Sequence, residues 1–245
     1  MVFFQKNKRV EIPIIHTKST ILERVTSFEL LGVTLTESLH WKCHTDKICN
    51  KISRTLGILN KLKNTLPTNI KILIYNSLIL SHINYGILIW GYHSERLNKL
   101  QKKAIRIISK LKYNSHTEPH FKQLHLLRIN DILNQTILKF YFKLKNNKLP
   151  NYFTNFLPIT NDLLHTHATR INEKLHMPLV RQEFARKSLR FQLPLLVNGT
   201  PNQILSKINT HSIQGYSNYI KNFYISKYED RCKITKCYIC SRNQQ

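Results

Sequence analysis

Leu97-Asn98-Lys99-Leu100-Gln101-Lys102-Lys103-Ala104-Ile105-Arg106-Ile107-Ile108-Ser109-Lys110-Leu111 carries two interleaved patterns of helical period. Leu97, Leu100, Ala104, Ile107, Ile108 and Leu111 fall on one face, while Lys99, Lys102, Lys103, Arg106 and Lys110 follow on the opposite one at i, i+3, i+4, i+7 and i+11. A strand would scatter both sets, because its side chains alternate with a period of two. The spacing predicts a helix capped at Ser94 and running through Lys112, with an apolar side for a core and a cationic side facing away from it.

The same period extends in both directions. Trp41, Ile48, Ile52, Leu56, Leu59 and Leu62 lie within an arc of about 120° at about 100° per residue, and Lys42, Lys47, Lys51, Arg54, Lys61 and Lys63 sit mostly off it. Pro67 closes that helix, and Thr68 is the expected N-cap of the next. Residues 70–90 are the most apolar stretch, with Lys71 the only Lys or Arg, and are long enough to be weighed as a membrane span. Asn76, Ser77, Ser81, His82 and Asn84 interrupt them and the flanking charge is basic on both sides, so a buried core helix is expected and a membrane partner is not favoured. His116-Thr117-Glu118-Pro119 reads as a loop. Helices are then expected at about 129–145, closed by Asn146 to Pro150, and at about 212–228, carrying Tyr216, Tyr219, Ile220 and Phe223.

Strand signals sit at the two ends. Val2-Phe3-Phe4, Val10–Ile15, Thr20–Val25 and Phe28–Leu35 are short, rich in β-branched and aromatic residues and separated by polar turns. They make two hairpins or a small antiparallel sheet, which starts so close to Met1 that an N-terminal neighbour is expected. Residues 151–210 are punctuated by Pro and Asn, with strand-like pieces of which Leu189–Leu196 is the clearest. The expected fold class is α+β, mainly α: strands in 1–38, a helical bundle in 39–150 and a mixed, basic region in 151–245.

Charge narrows the partners. With 38 Lys and Arg against 13 Asp and Glu the chain carries +25, an excess that suits a polyanion such as nucleic acid. Cationic residues at helical spacing can follow a phosphate backbone, and this places Lys99, Lys102, Lys103, Arg106 and Lys110 as the candidate nucleic-acid contacts; a solvated helix face is the competing reading. A hydrophobic share of 42% argues against disorder. Five unevenly spaced cysteines make no disulfide framework, and the N-terminus resembles neither a secretory signal nor a transit peptide, so a reducing intracellular setting, nucleus or cytoplasm, is expected.

Chemistry-bearing motifs are sparse. The acidic residues are scattered, and the one adjacent pair, Glu229-Asp230, follows Tyr228 at a helix end, where Tyr228-Glu229-Asp230 reads as surface charge. Nucleotide-binding glycine loops and nucleophile elbows are absent. Cys232, Cys237 and Cys240 include one pair at zinc spacing but lack a fourth ligand, so no metal is expected there. His40 and His44 stand at i, i+4 without an adjacent Glu, and read as helix-surface or capping residues, with Cys49 on another side.

Several short stretches then occur in a recognisable order. Phe28-Glu29-Leu30-Leu31-Gly32-Val33-Thr34-Leu35, Leu39-His40-Trp41-Lys42-Cys43-His44, Lys51-Ile52-Ser53-Arg54, Leu66-Pro67, Asn84-Tyr85-Gly86, Ile89-Trp90-Gly91 and Leu100 to Ile108 together resemble the end of a non-LTR (LINE, jockey-like) retrotransposon reverse transcriptase. The resemblance covers residues 1 to about 150. His167-Ala168-Thr169-Arg170, Ser188 to Gln192 and Asn198-Gly199-Thr200-Pro201 look like a decayed form of that family's C-terminal region, with Val197 where the family has Trp.

The resemblance implies that Leu31, Gly32 and Val33 belong to a primer-grip element at the end of the palm, and that the helices from Trp41 onward form the thumb that holds a template-primer duplex of RNA and DNA. It also implies that the catalytic aspartates, fingers and most of the palm lie upstream of this Met1. Mg²⁺ is expected for the full-length parent enzyme, whereas this chain holds no catalytic residue, no metal and no cofactor, and is inactive alone. The expected function is therefore that of a polymerase fragment that retains grip. The alternatives are a stand-alone, non-enzymatic nucleic-acid-binding protein or a non-functional remnant of a mobile element.

Overall fold

A computed structural model describes residues 16–17, 20–21, 23–156, 158–164 and 173–229. The strands expected at 2–4 and 10–15, the segment 167–170 and the cysteines 232, 237 and 240 lie outside the described residues. Within them the chain is mainly helical with short antiparallel strands at its N-terminal side, in agreement with the fold class read from periodicity.

β1 (His16–Thr17) pairs with β2 (Thr20–Ile21), and β3 (Ser27–Leu30) pairs with β4 (Val33–Thr36) in the register Ser27 to Thr36 and Leu30 to Val33. Phe28–Leu35 is thus a hairpin, where the sequence reading has one strand. Its turn is Leu31-Gly32, with φ of 48° and 77°. Positive φ at both central residues is the two-residue turn that matches strand twist, and Gly32 adopts it without a Cβ penalty.

α1 (Lys42–Lys61) buries Ile48, Ile52, Leu56 and Leu59 as its period predicts. α2 (Thr68–Ile74) begins after Pro67, which occupies the N-cap position in place of Thr68. It runs into a π-helical stretch, Tyr75–Leu80, then α3 (Ser81–Asn84). Lys71, Tyr75, Ile79, Ile83 and Ile87 are all buried, a spacing of four. Four residues of α-helix overshoot one turn by about 40°, so such a row would rotate out of the core within a few turns. The wider π turns absorb that drift.

Residues 70–90 are therefore not one regular helix. Gly86, at φ 65°, breaks the run, and α4 (Ile87–Trp90) leaves at 57°, followed by a 3-10 turn, Gly91–His93. Among the described residues no single helix is long and apolar enough to cross a membrane.

α5 (Glu95–Ile108) lies beside α1. α6 (Glu118–Gln123), with Pro119 in its first turn, occupies what the sequence reading leaves as a loop; Pro lacks the N–H that a helix start cannot use anyway. α7 (Ile129–Lys145) has the predicted bounds and is buried on most sides, between α4, α5, α9 (Leu189–Gly199) and α11 (Ile213–Ser226). α8 (Glu183–Arg186) and α10 (Asn202–Leu205) flank α9. Each fully buried Leu, Ile or Phe of α7 contributes about 1.5–3 kcal/mol.

Leu189–Leu196 thus corrects from strand to helix. Leu189, Phe191, Leu193 and Leu195 alternate with Arg190, Gln192 and Pro194, the period of a strand, but packing on α7 overrides that local signal: Leu193, Pro194 and Val197 turn inward on one side of a helix. α11 keeps its predicted place, with the Ser212 hydroxyl accepting the Gly215 N–H at 3.1 Å as its N-cap.

Two glycines test this packing with opposite signs. A Cβ at Gly91 would stand 2.9 Å from Ile87 Cγ1 and 3.0 Å from Leu133 Cδ1, both in the core, whereas one at Gly57, inside α1, meets nothing within 4 Å. Gly91→Ala should destabilise by about 1–3 kcal/mol in urea titration, and Gly57→Ala should stabilise by about 0.5–1 kcal/mol.

Candidate nucleic-acid interface

Helical period alone puts Lys99, Lys102 and Lys103 on the solvent side of α5, and all three are exposed there. What aims that face is the pairing of α5 with α1. Arg96, in the first turn of α5, reaches Asp46 near the start of α1 at 2.7 Å. At the other end Lys71 Nζ donates to the Ile108 carbonyl, the last residue of α5, at 3.0 Å, and to the Lys63 carbonyl just beyond α1 at 3.3 Å. The two helices therefore run parallel, with the exposed faces of both turned outward. Lys42, Lys47, Lys51, Arg54 and Lys61 are exposed on α1.

Arg106 and Lys110 depart from the stripe. α5 stops at Ile108, four residues short of the expected end, because the chain closes it with two backbone bonds, Lys110 N–H to Ile107 at 3.3 Å and Leu111 N–H to Arg106 at 2.8 Å. This is a Schellman cap, with Lys110 left-handed at φ 55° in the place Gly usually takes. Lys110 is exposed but off the helix. Arg106 is half-buried, and its Nε donates to the Ser115 carbonyl at 3.0 Å, tying down the following loop. Ser94 stands at the N-cap position without a side-chain cap bond.

The apolar side of α5 also differs in detail. Leu97, Ala104, Ile107 and Ile108 are buried, and so are Ile105 and Gln101, which the sequence reading leaves out. Gln101 Nε2 donates to Tyr75 Oη at 2.8 Å and to the Leu127 carbonyl at 2.9 Å, while its Oε1 accepts the Ile129 N–H at 3.1 Å. One amide thus joins α5 to the π segment and to the start of α7. A polar residue inside an apolar face was the available signal.

A second constellation gathers the expected primer-grip residues. Val33 is buried, whereas Leu31 is 81% exposed at the hairpin tip. The Tyr85 hydroxyl donates to the Leu31 carbonyl, and Gly86 leaves room for Val33 Cγ2 and Trp90 Nε1, each 3.5 Å from where a Cβ would stand. Trp90 Nε1 in turn donates to the Tyr85 carbonyl at 2.9 Å, and the His44 ring meets Trp90 edge-on at 5.7 Å. Leu31-Gly32-Val33, His44, Tyr85-Gly86 and Trp90, spread over 60 residues, meet at one place. Phe28, Leu30 and Leu31 face outward from it.

His44 is buried, not a helix-surface residue, and Cys49 is buried on the same helix. His44 Nδ1 accepts the Thr34 N–H at 3.2 Å, so the neutral ring carries its proton on Nε2. His40 is exposed, and its N–H donates to the Thr36 hydroxyl at 3.0 Å.

Six of the carboxylates are engaged in ion pairs with Lys or Arg. Arg128 bridges Asp131 at 3.0 Å and Glu118 at 2.9 Å, and the Tyr228 hydroxyl donates to Asp131. Tyr228 is therefore a buried tie between α7 and the end of α11, which corrects its reading as surface; Asp230 lies outside the described residues. Among the described residues no three or more His, Cys, Asp or Glu side chains cluster as a metal site would require. The chain matches no protein-family model, no curated protein and no solved structure.

Burial, and then the Lys47 charge, push His44 below the ordinary imidazole range; burial and Lys187 do the same to His93. The unfolded chain protonates both near pH 6.5, while the folded chain resists. Stability is therefore full above about pH 6.5 and is lost as pH falls toward the lowered folded values. Urea midpoints should decline between about pH 7.5 and 5, and less steeply in His44→Gln, where the His44 share is gone and that of His93 remains. An unaltered slope in that variant would remove His44 from this role.

Proposed function

We propose that this chain is the thumb-bearing C-terminal part of an RNA-directed DNA polymerase of the non-LTR retrotransposon type, and that it holds a template-primer duplex through Lys99, Lys102 and Lys103. The observation that carries the reading is the α5 surface itself. Three ammonium groups stand exposed on a helix anchored at both ends, and none of them is paired with a carboxylate among the described residues. Phosphates can neutralise such a face with release of their counterions. Lys110, beyond the helix, is a further exposed cation, and Arg106 acts through the loop it ties.

Two more observations support the polymerase fragment over a stand-alone binder. Four of the stretches that carry the resemblance, those with Leu31-Gly32-Val33, His44, Tyr85-Gly86 and Trp90, meet around Trp90. The outer side of β3 is exposed along its whole length, including Phe28 and Leu30, as a strand bordering a further body would be.

A two-metal mechanism needs clustered carboxylates to hold the ions. Here Glu29, Glu37, Asp46, Glu118, Asp131 and Glu183 are each in an ion pair with Lys or Arg. Mg²⁺ chemistry belongs to the parent enzyme's upstream aspartates in this reading. The isolated chain should show no Mg²⁺-dependent primer extension on a template-primer substrate, and measurable extension by pure protein would overturn the assignment of a non-catalytic part.

Grip has its own test. Duplex affinity should fall steeply with salt, and replacing Lys99, Lys102 and Lys103 together by Ala should make the log-log salt slope shallower by about 0.9 for each phosphate that is no longer neutralised. Circular dichroism provides the control for folding. An unchanged slope, or no binding at low salt, would remove the α5 face from this role.

A further inference from the structure

A cavity of about 540 Å³ lies where the start of α1, the 3-10 turn after α4, α7, the 3-10 turn Asn151–Phe156 and the junction of α8 with α9 converge. Its walls are chiefly Trp41, Tyr92, Phe140, Phe153, Phe156 and Phe184. The Phe153 ring packs against Phe140 at 5.8 Å and Phe156 at 5.9 Å, giving one wall of contiguous aromatic surface. Phe184 remains 54% exposed although it lines the space. A volume of this size accommodates a small organic ligand.

The rim differs in chemistry from the walls. His93, Lys187 and Arg190 border the cavity. Lys187 pairs with Glu183 at 2.8 Å, whereas Arg190 is exposed and forms no ion pair among the described residues. α9 begins at the same rim. The Ser188 hydroxyl at its N-cap position donates to the Ala185 carbonyl at 2.6 Å, and among the described residues no side chain takes the Leu189 or Arg190 N–H at the start of this 11-residue helix. A helix start without a cap adds partial positive charge and free donors beside Arg190.

Walls of this kind disfavour a polar body, which would lose its water without gaining hydrogen bonds. A nucleobase brings several such polar edges, and an alkyl chain or a plain aromatic ring brings none. We propose that this cavity binds amphipathic monoanions, with an aliphatic or aromatic body among the rings and a carboxylate or comparable head at Arg190 and the start of α9. The site is separate from the α5 face, none of whose lysines lines it.

Trp41 lines the cavity and the other tryptophan, Trp90, does not, so intrinsic fluorescence of the full chain reports occupancy. Dodecanoate should bind saturably at one site per chain, with uncharged dodecanol about tenfold weaker, the difference a charge-assisted head contact makes. Arg190→Glu should bring dodecanoate down to the dodecanol level, and Phe184→Ala, at an exposed position, should weaken both ligands. Lys61→Glu makes the same charge change on α1 away from the cavity and should leave binding unaltered. Three results would overturn the proposal: no saturable binding up to about 1 mM by chain with native circular dichroism; equal losses in Arg190→Glu and Lys61→Glu, which would mean attraction by net charge alone; or displacement of dodecanoate by equimolar thymidine monophosphate, which would make the cavity a nucleotide pocket.

Discussion

The ammonium of Lys71 is fully buried and holds the ends of two helices at once. Burying a lone ammonium is costly, and it persists only where acceptors replace water. The acceptors here are carbonyls at and beyond helix C-termini, the groups that a helix leaves unpaired and whose partial charge favours a cation. Burial together with the nearby Lys110 charge draws the Lys71 pKa below the ordinary lysine range. The arrangement explains why α5 ends where it does: the Ile108 carbonyl meets Lys71, and the chain turns away through a left-handed Lys110.

From this anchor the rest follows in layers. Parallel α1 and α5 present their apolar stripes to the same interior, and Gln101 links that pair to the π segment and to the start of α7. α7 can then be buried on nearly every side, because α9 and α11 cover the faces that α4 and α5 leave open. The Arg128, Asp131, Glu118 and Tyr228 network ties the same start of α7 to α6 and to the end of α11, and Arg128 also stacks over the Tyr228 ring at 4.3 Å. Carboxylates so used hold helices together in a strongly basic chain. The cationic excess remains outside, on α5 and on the outer side of α1.

Legibility in the sequence followed the strength of each local pattern. α1, α5, α7 and α11 have long apolar faces at a spacing of 3.6, and their existence was readable within a few residues at each end. Residues 70–90 were readable as core but not in shape, because a spacing of four admits either a drifting α-helix or a π-helical correction. Leu189–Leu196 alternated apolar residues with Arg190, Gln192 and Pro194, a strand-like period that packing against α7 overrode. The hairpin inside Phe28–Leu35 turned on Leu31, a residue that rarely takes positive φ, beside Gly32. Of the five cationic residues expected on the α5 face, Lys99, Lys102 and Lys103 could be placed by spacing, whereas Lys110 depended on where the helix stopped and Arg106, inside the helix, on its bond to the Ser115 carbonyl.

By itself the sequence determined the four long helices α1, α5, α7 and α11, which of their faces are apolar, and that the chain carries a large positive excess. These are properties of neighbours along the chain, set by 3.6-residue periodicity and composition. Tertiary structure alone decided that Lys71 is buried, that Arg106 is tied to a loop, that His44 is a core residue and that aromatic rings from five elements enclose a cavity. The physical reason is separation: the Lys71 bond to Ile108 spans 37 residues and that of Tyr228 to Asp131 spans 97. No local pattern specifies the partner of a polar group that far along the chain, so only the packed fold reveals which charges are satisfied inside and which are left to meet a ligand.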